Sequence, residues 1–395
     1  MTFSSRVPGS LAPNRLARAV ERVRAEGSEI IDLTISNPTG AGFSYPRRLL
    51  DPLADARGLE YRPSPRGLPD ARQAVAGDFA RRGLEVDADH IALTASTSEA
   101  YAVLFKLLCD AGDEVLVPRP SYPLFEHLTR LESVTPVPYD LDYHLRWDVD
   151  VGSVERAVSD RTRALLLVNP NNPTGSYVEA RELAALAAIC AARGVTIVSD
   201  EVFADYDLLP AAGHTRGTLI GRSDVLGFTL GGLSKSIGLP QAKLGWIAAS
   251  GNDRMVEEAL TRLDLVLDTY LSVSTPVQLA AGNLLASGAT VRRQIHDRVR
   301  ANLHACSRIL DDYPACRLLR AEGGWSAVLQ VPSLLPEEDL VLALLIEERV
   351  LVHPGYFFDF PSECYLVLSL LAAEDQFAAG VRRVLDRCNP DVNGS

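Results

Sequence analysis

One pattern, repeated between about residue 90 and residue 230, narrows the possible folds of this chain more than anything else in it. Short, wholly apolar runs alternate with longer amphipathic ones. The runs are Ile91-Ala92-Leu93, Glu114-Val115-Leu116-Val117, Ala164 to Val168, Val195-Thr196-Ile197-Val198 and Val225 to Leu230. A strand that is apolar on both faces must be covered on both. The helix-patterned stretches Glu99 to Leu108 and Glu182 to Arg193 supply such cover. The expectation is an α/β fold with a mainly parallel sheet. In such sheets ligands collect beyond the carboxyl ends of the strands.

The flanks read differently. The first 30 residues give a loop and a short basic helix around Leu16 to Arg24. A strand, Ile30 to Ile35, follows and is stopped by the turn residues Ser36-Asn37-Pro38-Thr39-Gly40. A helix is expected from Leu68 or Pro69 to Arg82. Beyond about residue 285 come a long helix, Val291 to Leu310, strands Trp325 to Val331 and Tyr365 to Leu370, and helices Glu337 to Glu348 and Glu374 to Arg387. These suggest a smaller α+β domain completed by the N-terminal segment. The expected division is 1–45 as that segment, 46–284 as the large domain and 285–395 as the small one.

Several classes of function are disfavoured. A net charge of -12 over 395 residues argues against binding nucleic acid or an anionic membrane surface. No apolar run reaches the ~18 residues of a membrane helix. The N-terminus lacks the apolar core of a signal peptide. Six scattered cysteines, with no CxxC pair and no clustered histidine, suit free thiols in a reducing cytosol. The expectation is a cytoplasmic protein.

Positive charge is written almost entirely as arginine. Of 39 basic residues only three are lysine: Lys106, Lys235 and Lys243. An arginine stays protonated, whereas a lysine amine can lose its proton and attack a carbonyl. Lys235 lies between Ser234 and Ser236, among glycines, just after an apolar run. This reads as a strand delivering a lysine to a loop.

Other strand ends carry chemistry of their own. Ser96, Thr97 and Ser98 join a strand to a helix and would set hydroxyls and free N–H groups at its positive end, as an anion site or a plain cap. Asp200 closes a buried strand, where a carboxylate needs a partner. It is either a structural cap or the counter-charge of a cationic ring nitrogen. Asn169 to Gly175 reads NPNNPTG, a rigid turn whose Asn172 could donate to an oxyanion. Tyr122 could be core, or could stack on a flat ring. Lys243, eight residues after Lys235, offers a second cation.

With NPNNPTG, the Ser199–Val202 run SDEV and the stretch from Ser234-Lys235 through Lys243 to Gly245-Trp246, the chain resembles the class I/II aminotransferases, fold-type I enzymes dependent on pyridoxal 5'-phosphate (PLP). The resemblance implies the α/β fold-type I transferase fold and exchange of an amino group between an amino acid and a 2-oxo acid through pyridoxamine phosphate. It makes Lys235 the Schiff-base lysine that also shuttles a proton, and Asp200 the partner of the pyridine nitrogen. Asn172 would face the phenolic oxygen, Tyr122 would stack on the ring, and Ser96, Thr97, Ser98, Ser234 and Lys243 would hold the phosphate. Tyr61 would reach the phosphate of a neighbouring subunit, and Ser274-Thr275-Pro276 would cross the same interface. A homodimer with shared active sites is therefore expected.

Three positions depart from the family pattern. Phe203 stands where a tyrosine is usual, and Lys243 where an arginine is. Val367, in Tyr365-Leu366-Val367-Leu368-Ser369, occupies the place of the arginine that grips the substrate α-carboxylate. Arg62, Arg66, Arg119 and the backbone near Asn37 are the candidates to replace it. Phe203 and Val367 keep a second reading open, β- or γ-elimination or carbon–carbon bond formation on the same cofactor. A non-catalytic ligand sensor is disfavoured, because Lys235 is intact and no basic DNA-binding segment precedes the fold.

Overall fold

The computed structural model describes residues 3–209 and 215–389. The outermost residues of the expected first and last units, 1–2 and 390–395, lie outside them. In chain order, helix α1 (Arg15–Ala25) and the short strand β1 (Ile31–Asp32) lead to α2 (Pro69–Arg81), β2 (Ile91–Thr94), α3 (Thr97–Leu108) and β3 (Glu114–Arg119). Then come α4 (Phe125–Leu131), β4 (Thr135–Tyr143), β5 (Trp147–Val149), α5 (Val151–Ala157), β6 (Thr162–Val168), α6 (Ala180–Arg193) and β7 (Thr196–Asp200). β8 (Gly227–Gly232), α7 (Leu233–Ser236), β9 (Gly245–Ser250), α8 (Asp253–Tyr270) and α9 (Thr275–Leu310) follow. The chain closes with β10 (Arg317–Leu318), β11 (Ser326–Gln330), α10 (Glu337–Ile346), β12 (Val350–Leu351), β13 (His353–Pro354), β14 (Tyr365–Ser369) and α11 (Glu374–Cys388).

Eight strands form one sheet in the order β2-β9-β8-β7-β6-β3-β4-β5. Its centre, β8-β7-β6-β3-β4, is parallel, while β9 and β5 run against their neighbours. The mainly parallel expectation holds. β2, β7 and β8 are buried at every position, since helices cover both faces. A second sheet, β10-β11-β14-β13, is antiparallel, and β1 pairs parallel with β12. Leu33 N–H donates to Leu351 O, and Ser369 N–H to Leu33 O, so the N-terminal segment is stitched to the C-terminal part.

Two differences from the sequence reading concern the region around the lysine. Lys235 lies in the one-turn helix α7 rather than in a loop. The long helix begins at Thr275, not Val291, and crosses the expected 284/285 boundary unbroken. Glycines hide its first half, and one is there for packing. A Cβ on Gly288 would stand 2.7 Å from Cβ of Ile237, just past the lysine turn. Among the described residues no helix is long and apolar enough to cross a membrane.

Candidate active site

The carboxyl ends of β2, β3, β6, β7 and β8 converge on a cavity of about 310 Å³. Its floor carries Thr97 and Ser98 from the start of α3, Asp200 from the end of β7, and Ser234 and Lys235 from α7. Tyr122 follows β3, and Asn172 follows β6. Seven of the ten residues expected at the site thus line one cavity.

The local geometry follows from particular side chains. Ser96 caps α3, its Oγ accepting from Glu99 N–H at 3.1 Å, and so leaves the Thr97 and Ser98 hydroxyls at the positive helix end. Gly245 lets that loop approach: a Cβ there would lie 2.9 Å from the Ser96 carbonyl carbon. On the next strand Gly231 faces Trp246, whose indole nitrogen would stand 2.4 Å from a Cβ. The glycines and the tryptophan of this stretch are therefore one packing unit. Gly175 closes the asparagine turn with φ +70, and its carbonyl accepts from Glu322 and Gly323 N–H, clamping the turn to the segment before Trp325.

Asp200 is buried and accepts from Tyr101 Oη at 3.0 Å and Val202 N–H at 3.1 Å. Burial nevertheless pushes its carboxyl up to about 6. Burial lowers the Lys235 ammonium below its ordinary value, against the pull of Asp200. The result is a carboxylate short of positive charge beside an amine biased towards its neutral, nucleophilic form. Lys235 Nζ sits 5.0 Å from the Trp325 ring and 5.7 Å from Phe203, and Tyr206 Oη donates to the Lys235 carbonyl at 2.6 Å.

The other wall belongs to the smaller sheet and the N-terminal segment: Ile35, Ser326, His353, Phe357, Phe358, Val367 and Ser369. Val367 does face the cavity, so the departure noted in sequence falls in the site. None of the arginines considered as its replacement lines the cavity. Arg62 pairs with Glu60, Arg66 with Asp264 at 2.9 Å, and Arg119 with Asp140 at 2.5 Å. The Asn37 side chain caps its own turn, accepting from Thr39 N–H, while Ile35 and Ser36, just before it in the backbone, line the cavity.

Three expected residues stand outside the lining. The Ser96 hydroxyl is taken by the cap just described. Lys243 is exposed, in the left-handed conformation that ends the turn 240–242. Tyr61 is 73% exposed and shares a small surface hollow with Leu271, Ser272 and Thr275. Sequence reasoning missed Tyr101, Trp325 and His353. Tyr101 had a usable signal, since it lies one helical turn after Thr97 on the same face of α3.

Fold and site together define an α/β enzyme with a lysine and a buried carboxylate beyond the strand ends of a mainly parallel sheet. The family model for aminotransferase class I and II matches residues 28–373, and the chain belongs to that family. It is 30% identical to an alanine aminotransferase of Mycobacterium tuberculosis, over 92% of this chain and 86% of that protein. It is 25% identical to a glutamate-pyruvate aminotransferase of Escherichia coli, over 87% and 86%. Among solved structures, alanine aminotransferase from Pyrococcus furiosus superposes with a TM-score of 0.85 at 24% identity, covering 97% of this chain and 98% of that one. An aspartate aminotransferase of Thermus thermophilus does so at 0.84 and 24%, covering 98% and 100%. The protein is an aminotransferase.

Proposed function

We propose that this aminotransferase carries pyridoxal 5'-phosphate in the cavity between its two sheets and moves an amino group from an amino acid to a 2-oxo acid. The observation that carries the reading is the presence of Lys235 and Asp200 together on one cavity floor, with the hydroxyl-bearing start of α3 beside them. The donor set fits the cofactor. Thr97, Ser98, Ser234 and the first N–H groups of α3 suit a phosphate. Asp200, raised by burial, suits a protonated ring nitrogen that would restore its charge. Asn172 suits a phenolic oxygen, and Tyr122 a flat ring.

Bound there, the cofactor supplies an electron sink for bonds at the substrate Cα. Asp200, ionised, holds the positive end of that sink. Lys235, biased towards its neutral form by burial, is the group able to join a carbonyl and to take and return the Cα proton. Ser96 acts through its cap, fixing Thr97 and Ser98. In this reading residues 46–284 form the cofactor domain, and the N-terminal segment with residues 285–395 forms the substrate-facing one. Lys243 and Tyr61 are assigned to the phosphate at the rim, Tyr61 across a homodimer interface. Its exposure, and that of Leu59, Leu265 and Tyr270, supports such an interface. Free cysteines and an acidic charge support a cytoplasmic protein.

The named relatives favour transamination over elimination. The test is a panel of single amino acids added to PLP-loaded protein without an acceptor. A stoichiometric spectral change with one oxo acid per site and no ammonia is expected. Continuous ammonia release would sink the reading.

A further inference from the structure

On the reading just given, the substrate brings an α-carboxylate into a cavity whose small-sheet wall carries no ionisable side chain other than that of a histidine. A carboxylate leaving water needs a cation or several donors. Among the described lining residues the only lysine or arginine is Lys235, which faces Asp200 on the opposite wall. The arginines nearest in sequence logic are paired elsewhere. Three of the hydroxyls on this wall are also committed. Thr34 Oγ1 donates to Asp32, Ser369 Oγ to the Ile35 carbonyl, and Ser326 Oγ to Asn172 Oδ1 at 3.4 Å.

His353 differs from them. Its ring lines the cavity, and neither ring nitrogen has a hydrogen-bond partner among the described residues. It stands directly opposite Val367 in the antiparallel β13–β14 pair. Opposed residues of such a pair project from the same face, with Cβ atoms about 5 Å apart. An imidazole on β13 therefore enters the space that a longer side chain at position 367 would enter from β14. Phe357 and Phe358, with ring centroids 5.9 and 5.8 Å from the imidazole, hold its orientation.

We propose that His353 receives the substrate α-carboxylate, taking from the neighbouring strand the part that Val367 cannot play. Burial lowers the imidazole below its ordinary value and Asp32 opposes this, and a carboxylate in contact acts in the same direction as Asp32. The grip is that of one or two hydrogen bonds rather than of a guanidinium fork. It selects for a small carboxylate group and leaves the apolar remainder of the wall for the substrate side chain.

The test uses the PLP-loaded enzyme and two probes of equal shape, propionate and propionamide, with binding followed by calorimetry and by competition against the amino-acid donor. Wild type is expected to bind propionate more tightly than propionamide. His353→Phe should weaken propionate roughly 10- to 100-fold, the scale of a hydrogen bond to a charged group, and raise KM for the donor by a similar factor with kcat little changed. Propionamide binding should stay as it was. His353→Gln, which keeps a donor, should retain most of the affinity. Adding Val367→Arg to His353→Phe should restore it from the other strand. Equal weakening of both probes would mean a packing role and overturn the proposal, as would unchanged propionate binding. If wild type made no oxo acid at all, the aminotransferase reading would fall, yet the calorimetry would still decide whether His353 holds a carboxylate.

Discussion

The two walls of the cavity are built by opposite rules. The large-sheet wall takes its functional groups, Thr97, Tyr122, Asn172, Asp200 and Lys235, each at or beyond the carboxyl end of a different strand, and sets them among aliphatic side chains such as Val168 and Val202. Hydrogen bonds from Tyr101 and Val202 fix its carboxylate before any ligand arrives. The small-sheet wall is drawn from segments hundreds of residues apart, from Ile35 to Ser369, and is mostly carbon. One wall is organised for electrostatics, the other for shape. On the proposed function, the first would carry the chemistry and the second would meet the substrate.

The contrast breaks most sharply at the lysine. Lys235→Ala should lower turnover by about 10⁴-fold, the upper end of what a lost acid–base group costs, while cofactor-free protein unfolds as wild type does. Measurable turnover near the wild-type rate would remove Lys235 from the chemistry. Asp200→Asn comes next, with a loss of roughly 10²- to 10³-fold in kcat, because the ring nitrogen would lose its counter-charge. Tyr101→Phe should cost about 10-fold, one hydrogen bond to a charged group, and push the Asp200 carboxyl further up. A kcat for Tyr101→Phe equal to wild type would show that the tyrosine only packs.

A pH experiment sharpens the same comparison without turnover. In cofactor-free protein the folded Asp200 carboxyl lies at about 6, above its unfolded value, so the folded state binds the extra proton. Its contribution is complete below the unfolded value and declines as pH rises to about 6, by up to roughly 3 kcal/mol. Glu201, raised in the same direction by burial, adds to the decline. Denaturant midpoints measured from pH 4 to 7 should fall in wild type and fall less in Asp200→Asn. Parallel curves would show that the carboxyl is not raised. Smallest of all, Val367→Ala on the apolar wall should cost at most about 1–2 kcal/mol of stability, through lost packing alone.

What could be read in sequence followed the same division. Apolar strands followed by turn residues announced the floor, since each functional group stood one to five positions past a strand. Three of the elements that escaped had weak or contrary signals, whereas α8, capped by Asn252 and apolar along one face, was legible and was passed over. β4 contains Pro136 and Pro138, β9 is half glycine and alanine, and the start of α9 carries Gly282 and Gly288. In each, packing against neighbours overrode local preference. Trp325 showed only as the first residue of a strand and His353 belongs to no run or spacing; the register of β13 on β14 is what puts the histidine beside Val367. A wall assembled by tertiary pairing leaves little trace in one-dimensional pattern.

Helix α9 has a mechanical consequence. Thirty-six residues without a break make a beam about 54 Å long. Thr275, at one end, shares a surface hollow with Tyr61, and the helix packs on α11 of the smaller unit further along. Gly288 presses its middle against the turn that carries Lys235. A tilt of about 5° around that fulcrum shifts the Thr275 end by roughly 2 Å and the Leu310 end by roughly 3 Å. The outer surface, the lysine turn and the smaller unit thus all rest on one rigid rod, so a change at one end is transmitted along the same element.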